Sequence, residues 1–141
     1  MTMERLIMVE DDEGHASLIQ RNLKRAGVDE PIVHLSDGAE AIDYFFHKEV
    51  EGTQKQLVLL DLNLPKVDGY EVLRRLKADE RTRSIPVIVL TTTDNPGEVT
   101  RCYEMGCNVY MTKPVSYESF SDAIQKLGLM VSVVKVPLTQ H

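Results

Sequence analysis

The stretch LVLLDLNLPKVDGYEVL, residues 57–73, decides the fold. Four aliphatic residues run into Asp61 with no polar alternation, the pattern of a strand covered on both faces. Pro65 and the pair Asp68–Gly69 then interrupt the run, and an amphipathic segment begins near Tyr70. A buried strand therefore opens into a loop at a carboxylate. From this stretch alone Asp61 has two readings. It is a cap for the helix that follows, or it is a charge delivered to a site at the end of a strand.

Working outward, four more apolar, β-leaning runs occur: RLIMV (5–9), PIVHL (31–35), PVIVLT (86–91) and NVYMT (108–112). Helical periodicity fills the gaps between them. EGHASLIQRNLKRAG puts Ala16, Leu18, Ile19 and Leu23 on one face and stops at Gly27. DGAEAIDYFFHKEV groups Ala41, Ile42, Phe45 and Phe46, and GYEVLRRLKAD groups Val72, Leu73 and Leu76. PGEVTRCYEMG opens on Pro96 and closes at Gly106, while SYESFSDAIQKLG starts at Ser116 and carries Phe120, Ala123, Ile124 and Leu127.

Strict alternation of strand and helix requires crossover connections and hence a parallel sheet. The expectation is an α/β, flavodoxin-like, doubly wound sheet of five strands in the order 2-1-3-4-5, with five helices. Its crevice lies beyond the carboxyl ends of the strands. The expected domain covers residues 4–127. Residues 128–141, GLMVSVVKVPLTQH, form a short C-terminal extension.

The chain has 141 residues, 43% of them hydrophobic and 27% charged, which is a globular balance with enough material for one core. The net charge of −6 argues against a nucleic-acid or acidic-membrane surface. No apolar run reaches the roughly 20 residues that span a bilayer, and the N-terminal segment turns acidic too early for a signal peptide. A cytoplasmic protein is expected. Cys102 and Cys107, five apart, are read as lying on different sides of a helix, reduced and without a zinc role. His15, His34, His47 and His141 have no ligand spacing.

The strand-end rule now selects the crevice residues. The first strand is followed by Glu10, Asp11 and Asp12, the third by Asp61. The fourth ends at Thr91 with Thr92 and Thr93 after it, and the fifth ends at Thr112 and Lys113 before Pro114. Carboxylates from two strand ends repel unless a cation joins them. An all-oxygen set without His or Cys suits Mg²⁺. A lysine and a hydroxyl opposite the acids complete a pattern for phosphoryl chemistry, and a carboxylate between them can be the nucleophile. Each piece has a plainer reading: acids after a strand cap helices, a strand-end threonine is structural, and a lysine before proline is solvated. Their meeting at four strand ends favours a site.

At this point the residues resemble the receiver domain of two-component response regulators. IMVEDD resembles its acidic pocket, LLDLNLPKVDG its phosphoacceptor strand and loop, IPVIVLTT its hydroxyl strand and GCNVYMTKPV its Lys-Pro segment. The separations, 30 residues from Asp61 to Thr91 and 22 from Thr91 to Lys113, match the family's. The resemblance implies that Asp61 accepts a phosphoryl group from a kinase phosphohistidine. It implies that Mg²⁺ is held by Asp11, Asp61 and the Asn63 carbonyl, with Glu10 acting through water. It further implies that Lys113 moves from Asp61 to the phosphate, and that Thr91 and the aromatic Tyr110 move in concert as the switch. Two departures stand out. Glu10 replaces the first of two aspartates, and Thr92 follows the switch threonine where Ala or Ser is frequent. Thr92 either shields the acyl phosphate from water or caps the next segment.

In a narrower sense LDLNLPKVDGYEVLRRLKAD, IPVIVLTTTDNPGEV and VVKVPL resemble the small stand-alone regulators that partner bacterial phytochrome-type histidine kinases. That likeness implies a phytochrome-type sensor kinase as partner and a homodimer held by the tail, with no nucleic-acid reader. A switch protein, catalysing only its own phosphorylation and dephosphorylation, is the leading expectation. Two alternatives are a Mg²⁺-dependent phosphohydrolase with an aspartyl intermediate and a receiver-like scaffold that is never phosphorylated. The hydrolase wants an acid two residues after its nucleophile, where this chain has Asn63.

Overall fold

The structure, a computed structural model, describes residues 5–47 and 55–131. Ten elements alternate: β1 (Arg5–Val9), α1 (Glu13–Arg25), β2 (Ile32–Leu35), α2 (Gly38–Phe46), β3 (Gln56–Leu60), α3 (Gly69–Ala78), β4 (Val87–Thr91), α4 (Pro96–Glu104), β5 (Val109–Thr112) and α5 (Tyr117–Val131). All strand pairs are parallel and their order is β2-β1-β3-β4-β5, as expected.

The period of two in each strand divides the core into two layers. Ile7, Val9, Val58, Leu60, Val87 and Val89 face one side and meet Ala41, Ile42 and Phe45 of α2, Val72, Leu73 and Leu76 of α3, and Cys102 of α4. Leu6, Met8, Leu57, Leu59, Ile88 and Leu90 face the other and meet Leu18, Ile19 and Leu23 of α1 and Phe120, Ile124, Leu127 and Val131 of α5. Because both faces are covered, β3 and β4 are buried along their whole length. This explains the uninterrupted aliphatic run before Asp61.

Helix ends follow the capping chemistry legible in the chain. Asp12, Asp37, Asp68 and Asn95 cap α1, α2, α3 and α4, and their side chains accept from His15, Glu40, Glu71 and Gly97 backbone N–H groups. The Ser119 N–H donates to Ser116 Oγ at the start of α5. Gly27, with φ of 98°, ends α1 in the left-handed conformation that glycine adopts without a Cβ clash. α5 runs on to Val131, four residues past the boundary expected at Leu127, and Val131 is buried against the core. The rest of the expected extension, 132–141, lies outside the described residues.

The two cysteines do not lie on different sides of a helix. Gly106, with φ of 106°, turns the chain back after α4, so the Cys107 N–H donates to the Cys102 carbonyl at 3.0 Å. Both thiols are buried in the layer of α2, α3 and α4.

Candidate functional site

Asp61 follows the last residue of β3 and is nearly buried, 6% exposed. The α3 cap is Asp68, so the capping reading of Asp61 falls away. The loop holds Asp61 by close backbone contact. The Gly69 N–H donates to the Leu62 carbonyl at 2.9 Å. A Cβ on Gly69 would stand 2.3 Å from the Asp61 carbonyl oxygen, so only glycine lets α3 begin this near the strand end. Asp61 Oδ1 accepts the Asn63 N–H at 3.1 Å, which orients the carboxylate.

The acids after β1 divide their labour. Asp12 Oδ1 accepts the His15 N–H at 3.0 Å as the α1 cap. Glu10 turns inward and is 2% exposed, with Oε2 accepting the Asp12 N–H at 3.2 Å. Asp11 stands exposed at the rim. Carboxylate oxygens of Glu10, Asp11 and Asp61 all lie within 4.8 Å of one another.

Lys113 comes from the end of β5, where its N–H donates to the Thr91 carbonyl at 2.6 Å. Its Nζ reaches Glu10 Oε1 at 2.5 Å and Asp61 Oδ2 at 3.0 Å, both side chains almost wholly buried. Burial pushes the Glu10 carboxyl up to about 7, and the Asp61 charge adds to the rise against the pull of Lys113. Two of the three clustered carboxylates, Glu10 and Asp61, meet the Lys113 ammonium, so among the described residues the cluster holds more carboxylates than lysine partners. A hard divalent cation with oxygen ligands corrects that deficit, and the donor set fits one.

Thr91, fully buried, ends β4. The Asn63 side-chain amide lies 3.4 Å from both Thr91 Oγ1 and Thr92 Oγ1, bridging the β3 and β4 loops. Thr92 is exposed and does not cap α4, since Asn95 does. Tyr110 is half-buried against the α2–α4 layer. Its hydroxyl donates to the Thr93 carbonyl at 2.6 Å, tying β5 to the loop after Thr91. Burial pushes its phenol up to about 12.

Two histidines stand at the site that sequence spacing passed over. His34 Nε2 lies 2.8 Å from the Glu10 carbonyl, and His15 Nδ1 lies 3.1 Å from Lys113 Nζ. No local pattern marks them, because their partners are 24 and 98 residues away in the chain.

Comparison with known proteins agrees with this geometry. Residues 6–125 match the response regulator receiver domain family. The probable methanogenesis regulatory protein FilR2 of Methanothrix harundinacea is 42% identical over 86% of this chain and 79% of its own. The response regulator Rcp1 of Synechocystis is 37% identical over 85% of this chain and 83% of its own. An Mn²⁺-bound structure of Rcp1 superposes with a TM-score of 0.86 at 34% identity, covering 95% of this chain and 99% of that one. A receiver domain from Rhodospirillum rubrum, 48% identical, superposes at 0.93 over 97% of this chain and 99% of that one. The phosphorylated cyanobacterial phytochrome response regulator RcpA, 32% identical, superposes at 0.87 over 96% and 99%.

Proposed function

The chain belongs to the response regulator receiver family, and from that premise we propose that Asp61 is its phosphoacceptor. The observation that carries the assignment is the buried Asp61 carboxylate, held 3.0 Å from Lys113 Nζ with Glu10 and Asp11 beside it. A carboxylate oxygen of Asp61 attacks the phosphorus of a kinase phosphohistidine. The new P–O bond forms as the P–N bond breaks, and its electron pair returns to the imidazole. Receivers of this family are switch proteins, and this one acts only on its own phosphoryl group.

The acids present fit a divalent cation, which we take to be Mg²⁺, held by Asp11, Asp61 and the Asn63 carbonyl with Glu10 behind them. When bound it neutralises phosphoryl oxygens. Lys113 supplies the second positive charge and exchanges Asp61 Oδ2 for a phosphoryl oxygen. Thr91 donates its hydroxyl to the phosphoryl group, and Tyr110, anchored on Thr93, registers that movement. Thr92, at the rim beside Asn63, screens the acyl phosphate from water.

The donor we propose is a phytochrome-type sensor histidine kinase. Support comes from the likeness to Rcp1 and to RcpA over nearly the whole chain. The protein works in the cytoplasm without binding nucleic acid. The charge of −6 supports that, and no helix among the described residues is long and apolar enough to cross a membrane. It pairs with a second copy through residues 128–141. Leu129 and Met130 are 60% and 41% exposed, and Met130 lines an apolar groove with Val109, Met111, Ala123 and Leu127.

The hydrolase alternative gains nothing from the geometry, because Asn63 turns its amide to two threonine hydroxyls where a general acid would stand. Incubation with acetyl phosphate and Mg²⁺ tests the main reading. One phosphoryl group, sensitive to hydroxylamine, is expected by mass. An unlabelled protein, or a label on another residue, refutes it.

A further inference from the structure

We propose that His15 is a positioning residue for Lys113, an inference that rests on the phosphoacceptor reading of Asp61. A lysine ammonium has three N–H donors and no acceptor. Two of them meet Glu10 Oε1 and Asp61 Oδ2. The third meets His15 Nδ1 at 3.1 Å. Nδ1 therefore presents its lone pair, and the ring proton sits on Nε2. The nearest carboxylate oxygens to Nδ1, on Asp12 and Glu10, are 3.9 and 4.0 Å away, beyond hydrogen-bond reach.

The ring is held in that pose from the other side. It packs on Phe120 of α5 with centroids 5.4 Å apart and planes tilted by 60°. His15 sits in the first turn of α1, whose N-cap Asp12 immediately follows the acidic pair. So α1 and α5 together aim one neutral acceptor at the ammonium. In the phosphorylated state the Asp61 oxygen that faced Lys113 becomes part of the acyl phosphate. Glu10 and His15 then remain as the two fixed acceptors about which Lys113 turns toward the phosphoryl oxygen. His15 touches no reacting atom and acts through Lys113.

The test uses full-length protein, acetyl phosphate and saturating Mg²⁺. His15→Leu keeps an apolar body against Phe120 but offers no acceptor, and its labelling is expected to slow about three- to tenfold, the worth of one hydrogen bond. His15→Gln, which presents an amide oxygen, is expected to recover most of that rate. In a Lys113→Met background His15→Leu is expected to change nothing further. A parental rate in His15→Leu, equal rates for Leu and Gln, or the same loss in the Lys113→Met background each overturns the proposal. ¹⁵N spectra of the imidazole give a readout independent of labelling. The proton is expected on Nε2, with the Nδ1 resonance moving in Lys113→Met. A proton on Nδ1, or an unmoved resonance, also overturns it. If the parent is not labelled, or the label survives Asp61→Asn, the phosphoacceptor reading fails instead, and the spectra still decide the His15 contact.

Discussion

At the scale of single residues, the site separates groups that do chemistry from groups that hold them. Asp61→Asn keeps the side chain's shape and its acceptor for the Asn63 N–H but removes the proposed nucleophile. Labelling by acetyl phosphate is expected to vanish while the circular dichroism spectrum and unfolding midpoint stay near parental values. Retained labelling would exclude Asp61. Asp11 is the exposed member of the acidic cluster, so its loss opens no cavity. Asp11→Ala is expected to weaken Mg²⁺ binding by about tenfold or more, the worth of roughly 1.4 kcal/mol of charge interaction. A Mg²⁺ titration with equal midpoints in both proteins would remove Asp11 from the ligand set. The buried Cys107 makes a different kind of statement. Burial pushes its thiol from 9.0 to about 11, and the phenol of Tyr110 rises from 10.0 to about 12. Between about pH 9 and 12 the unfolded chain has released protons that the folded chain keeps. By linkage, stability is full below that range and falls as pH rises through it. Urea midpoints at pH 8 and pH 10.5 check this, and a midpoint that does not fall would show these groups to be less buried than described.

Among the elements, Glu10, Asp11, Asp61 and Lys113 stand just past the ends of strands, Thr91 and Tyr110 lie within β4 and β5, and helices hold the connections in place. The β3–α3 connection is the tightest case. Gly69 begins α3 directly against the Asp61 carbonyl, with no room for a methyl group. Gly69→Ala is expected to destabilise the fold by about 1–3 kcal/mol, the range for overpacking a close contact. It should also slow labelling by about tenfold or more, since the backbone that moves is that of the proposed phosphoacceptor itself. Thermal unfolding and labelling rates measured together check both, and unchanged values would mean the loop has slack. At the other end of the fold, Gly128 lies in α5 where a Cβ would come within 2.6 Å of Ala26 Cβ. That contact brings α5 close to α1, and the same two helices carry Phe120 and His15. The Asn22 and Gln125 side chains bond across this interface at 2.9 Å, which satisfies a buried amide. The arrangement of the Lys113 pocket thus depends on helix packing well outside it.

For the molecule as a whole, the last four residues of α5 divide between burial and exposure. Gly128 and Val131 are buried, while Leu129 and Met130 are exposed. The exposed pair belongs to the proposed pairing surface. Leu129→Asp combined with Met130→Asp is therefore expected to sediment as a monomer that still accepts phosphate, and the parent protein as a dimer. Because each chain carries a net charge of −6, the proposed dimer is expected to be stronger at moderate salt. An intact protein that is monomeric well above micromolar concentration would end the dimer proposal. The amino-acid sequence by itself determined the fold and the set of crevice residues. Buried parallel strands need unbroken aliphatic runs, and in an open α/β sheet the crevice lies beyond their carboxyl ends, so RLIMV before Glu10 and LVLL before Asp61 were legible at short range. Caps were partly legible, because Asp, Ser and Asn before a periodic run satisfy N–H groups within three residues. The tertiary structure showed where each of the several acids stands. It assigned Asp12 and Asp68 to helix ends and left Glu10, Asp11 and Asp61 to the pocket. It placed the two cysteines in one layer through the turn at Gly106, and it brought His15 to Lys113. Those outcomes depend on contacts between residues up to 103 positions apart, as with Glu10 and Lys113. Local periodicity carries no record of such contacts, since they are set by how strands order in the sheet and how α1 and α5 pack across it.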